Sequence, residues 1–487
     1  MVVRMQIPSE RVARCRRAVP FTTMTPAQLL VLISIALYCG LLIMLLRRLP
    51  LWLDELIDLM TASSPHFSDL INSVKGTPGA VPLGYITQAL AIRMLGLSEL
   101  SGRLPSAMAS VLGCVGLYVL ASRIGVRFPL IAMITFAICP LQLRYALEAR
   151  SYEMALALAI WSTVMFLHIL SQTDYAWWFI PYGLCVLAGI YTQPFSFFVP
   201  FAHWVWLLFN AQSHFRKQLR IYLSLILVAC AMLFFPWYAG VAGRWKASME
   251  GSRVTSHITA HTALLVIREL TGSGYIGTAL LLAGIGLAVL VYKHSSEELD
   301  CFLLFCFLIP LACALLMDVA FGYFGAIRQM IFALAAAFVL FTIGLERLLK
   351  TSRRGAVVLL ISICIAQGWG DINFFFWRPR ENWAQASAIL ADEVRNGGCA
   401  MFSPAESKAY YSFFRPELDD SECGSARLVK SSRIALAISP YDSYDLVKVR
   451  KELFDRAFTL KSEFNPQGPR VEIYELNHKS GLGSLPK

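Results

Sequence analysis

Residues 27–46 read AQLLVLISIALYCGLLIMLL, twenty consecutive positions without a charge. As a helix this run reaches about 30 Å, the thickness of a bilayer's hydrocarbon core. Residues 1–26 ahead of it carry Arg4, Arg11, Arg14, Arg16 and Arg17. The arrangement resembles a signal peptide. The run is nevertheless long enough to span, and no clear small-residue cleavage site follows it. It reads as an uncleaved anchor with its basic end inside.

The rest of the chain repeats the theme. Of 487 residues, 57% are apolar and 15% charged, against about 25% charged in an average soluble domain. A water-soluble enzyme, a disordered chain and a small disulfide scaffold are excluded, which leaves a polytopic helical membrane protein. Further spans are expected at 106–121, 128–141, 154–170, 177–192, 195–209, 221–240, 275–292, 301–318, 329–345 and 355–372, about eleven in all. Several are at or below the usual length of about 17–25 residues. The connectors placed inside are basic, holding Arg123 and Arg127, then Arg216, Lys217 and Arg220, then Lys293, then Arg347, Lys350, Arg353 and Arg354. Residues 82–97 are apolar but short and contain Gln88 and Arg93. They read as a helix lying on the outer surface, within one outer loop over 47–105. The net charge of +11 is then topological. No dense basic tract with interleaved aromatics follows the N-terminal tail, so nucleic acid is not an expected partner; membrane lipids are.

From residue 373 the chain turns polar. CAMFS, RIALAIS and RVEIYEL read as strands and ENWAQASAILADEV as an amphipathic helix. Residues 373–487 are therefore expected to form a small α/β extracytoplasmic domain, and 27–372 the membrane domain. Nine of the twelve cysteines sit in or beside apolar runs, where Cys is a small hydrophobe. Cys399 and Cys423 lie in the polar part and can pair if it faces an oxidising compartment.

Two clusters carry chemistry. Leu53-Asp54-Glu55-Leu56-Ile57-Asp58 follows the first span. On a helix Asp54 and Asp58 share a face, and such carboxylates can act as general base or metal ligand; the same run also fits a solvated interfacial turn. Arg144-Tyr145-Ala146-Leu147-Glu148-Ala149-Arg150-Ser151-Tyr152-Glu153 lies between the third and fourth spans. At helical spacing Arg144 and Glu148 pair, as do Glu148 and Tyr152; a local ion-pair cluster is the plain alternative. By the topology above, both clusters emerge on the same side.

The order Asp54-Glu55, Pro82-Leu83-Gly84-Tyr85, Ser98 to Ser106, and Glu148-Ala149-Arg150-Ser151-Tyr152 resembles the C-type (GT-C) membrane glycosyltransferases. It is similar in particular to the group of protein O-mannosyltransferases and the aminoarabinose transferase of lipid A. Pro236-Trp237-Tyr238 and Gly325-Ala326-Ile327-Arg328-Gln329 extend the likeness, which covers roughly residues 45–345. It implies a polyprenyl-phosphate sugar donor used on the outer face. It further implies Asp54 as the catalytic carboxylate with Glu55 beside it, a second motif of Glu148, Arg150 and Tyr152, and Arg328 near the donor phosphate. Two features depart from the group: Gly79-Ala80-Val81 stands where many relatives have Lys or His, and Glu148 where many have Asp.

The chemistry agrees independently. Nucleotide sugars are cytoplasmic, so an outer site needs a donor carried across on a lipid. A polyprenyl phosphate is a competent leaving group, and the enzyme then supplies a base and cations. Asp54 suits the first role; Arg150 and Arg328 suit the second, because Arg grips phosphate bidentately. No metal or other cofactor is required. Lys75 and Arg103 are further candidates for the phosphate, and Tyr85, Tyr152 and His66 for substrate. His257 and His261 have zinc-compatible spacing without an evident third ligand. The expected activity is an inverting, metal-independent transfer to an unidentified acceptor. The rival is a transporter or flippase, whose polar groups sit near the bilayer midplane and whose halves often repeat; here charge gathers at one face and no repeat is visible.

Overall fold

The structure, a computed structural model, describes residues 25–46, 48–77, 79–171, 176–210, 214–251, 260–290, 297–321, 327–377, 381–423, 431–440, 445–464 and 468–476. Seven of the described helices have the length and apolarity of a span: Pro26–Leu46, Glu99–Ile124, Tyr152–Ser171, Phe215–Arg244, Glu298–Met317, Ile331–Thr351 and Arg353–Trp377. The run expected at 128–141 is broken into helices Pro129–Ala137 and Pro140–Ala146, which meet at 65°. Pro140 has no amide to donate and disfavours a helical Cys139 before it; Cys139 is extended. Counting this pair as one span gives eight. The other three runs form helices Phe179–Thr192, Phe198–Asn210 and Gly274–Leu290. These rise only about 20–26 Å. Of the about eleven runs expected, seven or eight are thus helices of spanning length among the described residues, in a multi-pass membrane protein.

Helix Ile331–Thr351 is the centre of the bundle, with 89% of its apolar window buried. Its small residues allow this. A Cβ on Gly344 would lie 1.9 Å from the Gly284 carbonyl oxygen, so helix Gly274–Leu290 crosses it in backbone contact. At one end of this helix Arg347 pairs with Asp300. Nearby, Arg216 pairs with Glu298, the Phe128 amide donates to Glu346 (2.8 Å), and Arg123 contacts His168 (2.7 Å). Twenty-one helical residues rise about 30 Å, so this charged end lies one hydrocarbon thickness from Arg328, which precedes the helix.

Residues 82–95 form a helix of 14 residues, short of spanning length. Helix Pro82–Leu95 packs against helices Leu53–Ala62 and Glu99–Ile124. With helix Phe67–Gly76 these segments share a hydrophobic cluster of Leu51, Leu59, Leu70, Val74, Val81 and Ile92.

The polar C-terminal part forms a four-stranded sheet: β1 Cys399–Ser403, β2 Arg433–Ile438, β3 Phe458–Phe464 and β4 Arg470–Leu476, in the order β1-β2-β4-β3. β1 pairs with β2 in parallel, and the other pairings are antiparallel. Helix Trp383–Arg395 covers one face through Trp383, Ala386 and Leu390. Cys399 and Cys423 form a disulfide. This part is joined to the outer loop. Leu56 is wholly buried in the same cluster as Trp383 and Tyr411, and the Leu53 amide donates to Glu381 Oε2 (3.0 Å).

Candidate active site

Neighbouring residues on a helix point about 100° apart, and helix Leu53–Ala62 uses this to send its acids in different directions. Glu55 turns inward. Its carboxylate accepts from Arg103 Nε (2.8 Å) and Nη2 (2.7 Å), and neither side chain has any exposure. Arg103 also donates to the Leu49 and Pro50 carbonyls (2.6 and 3.1 Å), capping the chain that leaves the first span. Asp54 and Asp58, one turn apart, face a cavity of about 220 Å³ instead.

The opposite wall is the turn Leu147–Ser151, a break between helices Pro140–Ala146 and Tyr152–Ser171. The helical reading of this stretch is corrected here. A non-helical segment must satisfy its backbone groups elsewhere, and side chains from three helices do so, while the turn's own Ser151 ties it to a fourth. Glu55 accepts from the Ala149 amide (2.7 Å), and Gln88 donates to the Ala149 carbonyl (2.6 Å). Ser106 donates to the Arg150 carbonyl (2.6 Å), and Ser151 donates to the Thr192 carbonyl (3.0 Å). Gly84 lets the turn approach, since a Cβ there would lie 2.5 Å from Ser151 Cβ.

The turn presents Arg150 to the cavity. Its Nη1 pairs with Asp54 Oδ2, its Nε lies 3.5 Å from Asp58 Oδ2, and its guanidinium sits 5.3 Å over the Tyr152 ring. Arg328 arrives from the other side. Its Nη1 is 3.6 Å from the same Asp54 oxygen, and its guanidinium lies 5.8 Å from the same ring. Tyr85 donates to Asp58 Oδ1 (2.7 Å). Burial pushes the Asp58 carboxyl up to about 6, against the opposing pull of Arg150 and the Tyr85 hydrogen bond.

Among the residues expected from sequence, the structure therefore gathers Asp54, Tyr85, Arg150, Tyr152 and Arg328 around one cavity. The others sit elsewhere. Arg103 and Glu55 form the buried pair behind the wall. Glu148 is buried against Arg144 (2.9 Å), whose guanidinium stacks on Tyr145 and Phe374. Lys75 lies 5.9 Å over Trp237, and His66 is exposed at the start of helix Phe67–Gly76. The side chains of His257 and His261 lie outside the described residues. No group of three or more His, Cys, Asp or Glu among the described residues is placed to hold a metal ion. Asp58, read from sequence as sharing a face with Asp54, also lines the cavity, as do Gln193 and Gln329; the two glutamines the sequence reading had not assigned. Asp58 had a signal, its one-turn spacing from Asp54. The glutamines had none beyond adjacency to Thr192 and Arg328.

Residues 78–238 match the family model for dolichyl-phosphate-mannose-protein mannosyltransferase. No curated protein sequence matches the chain. Among solved structures, ArnT from Cupriavidus metallidurans in the apo state aligns with a TM-score of 0.58 at 12% identity, covering 92% of this chain and 98% of that one. The same protein bound to undecaprenyl phosphate gives 0.59 at 12% identity, covering 93% and 98%. An Archaeoglobus fulgidus oligosaccharyltransferase in complex with Zn and sulfate gives 0.51 at 12% identity, covering 91% of this chain and 72% of that one. The architecture of this chain is that of the GT-C glycosyltransferases.

Proposed function

We propose that this protein transfers one sugar from a polyprenyl-phosphate donor to an acceptor on the extracytoplasmic side. The observation that carries the reading is Asp54 standing between Arg150 and Arg328 in one cavity at the bundle end opposite the basic loops. A carboxylate can take the acceptor's proton, and two permanently charged guanidiniums can hold the departing phosphate. The attacking oxygen bonds to the anomeric carbon as its bond to the phosphate oxygen breaks. The electron pair leaves with the phosphate, and the proton passes to Asp54. Attack from the face opposite the phosphate inverts the anomeric centre. With both charges supplied by arginine, the transfer needs no divalent cation.

The similar fold of ArnT holds undecaprenyl phosphate, which supports a lipid-phosphate donor. The Cys399–Cys423 disulfide supports an oxidising compartment for the C-terminal part, and the basic opposite end supports a cytoplasmic placement for those loops. The test is incubation of the purified protein with a panel of radiolabelled polyprenyl-phosphate sugars, following label release with and without candidate acceptors in EDTA. Release dependent on Asp54 is the expected result. An absence of release and transfer across the panel counts against the proposal.

A further inference from the structure

Arg150 holds two carboxylates through different edges. Nη1 pairs with Asp54, and Nε faces Asp58 at 3.5 Å. The two acids are not equivalent. The Asp54 side chain is 36% exposed and is shared with Arg328. The Asp58 side chain is 12% exposed and is fixed by the Tyr85 hydroxyl at 2.7 Å. Two arginines and two carboxylates sum to zero charge, so this site is neutral before any anion enters.

Resting on the donor reading above, we infer that Asp54 occupies the donor phosphate's place on Arg150 and Arg328 and yields it when the lipid binds, while Asp58 with Tyr85 keeps Arg150 in position throughout. The exchange has a chemical consequence. A phosphate on the two guanidiniums frees the Asp54 carboxylate from both ion pairs, so that its oxygens can accept from an acceptor hydroxyl. The base is thus engaged with the arginines while the site is empty and is released on donor binding. Asp58 is a positioning residue, acting through Arg150. Its loss would let the guanidinium follow Asp54 or rotate away over Tyr152.

The test measures undecaprenyl phosphate binding to the full-length protein in detergent, alongside steady-state kinetics. D54N is expected to bind the lipid several-fold tighter than the wild type, because a competing anion is gone, and to lose most of its transfer activity. D58N is expected to bind several-fold weaker, through loss of the ion pair that holds Arg150, with KM for the donor raised more than kcat is lowered. D58E is expected to recover part of that loss. Y85F keeps the carboxylate and is expected to weaken binding by a smaller factor, which supplies the test should D58N fail to fold. Weaker lipid binding by D54N would overturn the exchange. Wild-type affinity in both D58N and Y85F would overturn the positioning role. If the wild type itself binds no polyprenyl phosphate, the donor reading falls and takes this inference with it.

Discussion

Glu55 and Arg103 meet in a two-point ion pair with no solvent exposure, 2.8 and 2.7 Å between heavy atoms. The pair separates two adjacent acids. It commits Glu55 to the protein interior, where the same carboxylate also receives the Ala149 amide, and it leaves Asp54 facing the cavity. Removing one partner strands a buried charge, at a cost of about 3–5 kcal/mol. E55Q and R103M are each expected to lower the thermal midpoint in detergent markedly. The double substitution is expected to recover part of that loss, which a double-mutant cycle would read.

Asp54→Asn keeps the shape of the residue and removes its basicity. Transfer is expected to drop by about 10²–10⁴-fold, the usual worth of a positioned base, while insertion and expression stay as in the wild type. Label release in the donor panel is the measurement. Wild-type turnover in this variant would remove Asp54 from the mechanism.

Asp58 predicts a pH signature with opposite signs for stability and affinity. Its folded carboxyl titrates near 6, above its ordinary value of 3.8, chiefly because it is buried, with Arg150, Tyr85, Asp54 and Glu55 around it. The folded state therefore binds the proton more readily than the unfolded state. Stability rises as pH falls from about 6 towards 4, by about 3 kcal/mol at most. Over the same window the neutral carboxyl releases Arg150, so donor affinity is expected to weaken. D58N should flatten both slopes. Midpoints and donor KM measured from pH 5 to 8 decide it, and parallel rather than opposed trends would count against the assignment.

Gly84→Ala adds a methyl group where only 2.5 Å separates it from Ser151 Cβ. Overpacking of this kind costs about 1–3 kcal/mol. The larger effect is expected on turnover, because the turn that moves carries Arg150, and an error of about 1 Å at a reacting centre can cost roughly 10²-fold. G84A should thus lower kcat far more than it lowers the melting midpoint.

The Cys399–Cys423 disulfide closes a loop of 24 positions. By loop entropy its loss costs roughly 3 kcal/mol. C399S or reduction is expected to destabilise the sheet first, with earlier proteolysis of the C-terminal part while the spans stay protected.

Much of this was legible in the chain. The long apolar runs became helices, with the one at 128–141 broken before Pro140, and Asp54, Arg150 and Arg328 reached one cavity across 274 positions because the topology placed them on one side. What escaped depends on partners far away in sequence. Nothing near Asp54 and Glu55 says which of them turns inward; that follows from Arg103. The same Arg103 read as a phosphate contact because a cation beside a motif looks available until its burial is known. Strand β3, FTLKSEF, alternates poorly and is largely exposed along one edge of the sheet, so its pattern offered no apolar face to detect. The break at Leu147 to Ser151 was hidden because its stabilising groups, Gln88 and Ser106, come from other helices.

The bond from the Leu53 amide to Glu381 spans 328 positions, and it bears on how the molecule is made. The helix carrying Asp54 leaves the ribosome well before the carboxylate that receives its first amide and the tryptophan that shelters Leu56. A nascent chain already threaded into the bilayer still lacks the clasp over its acidic helix. Maturation of this centre therefore waits on chain made 328 positions later, and truncation ahead of Glu381 is expected to disarm the protein without removing a single cavity residue.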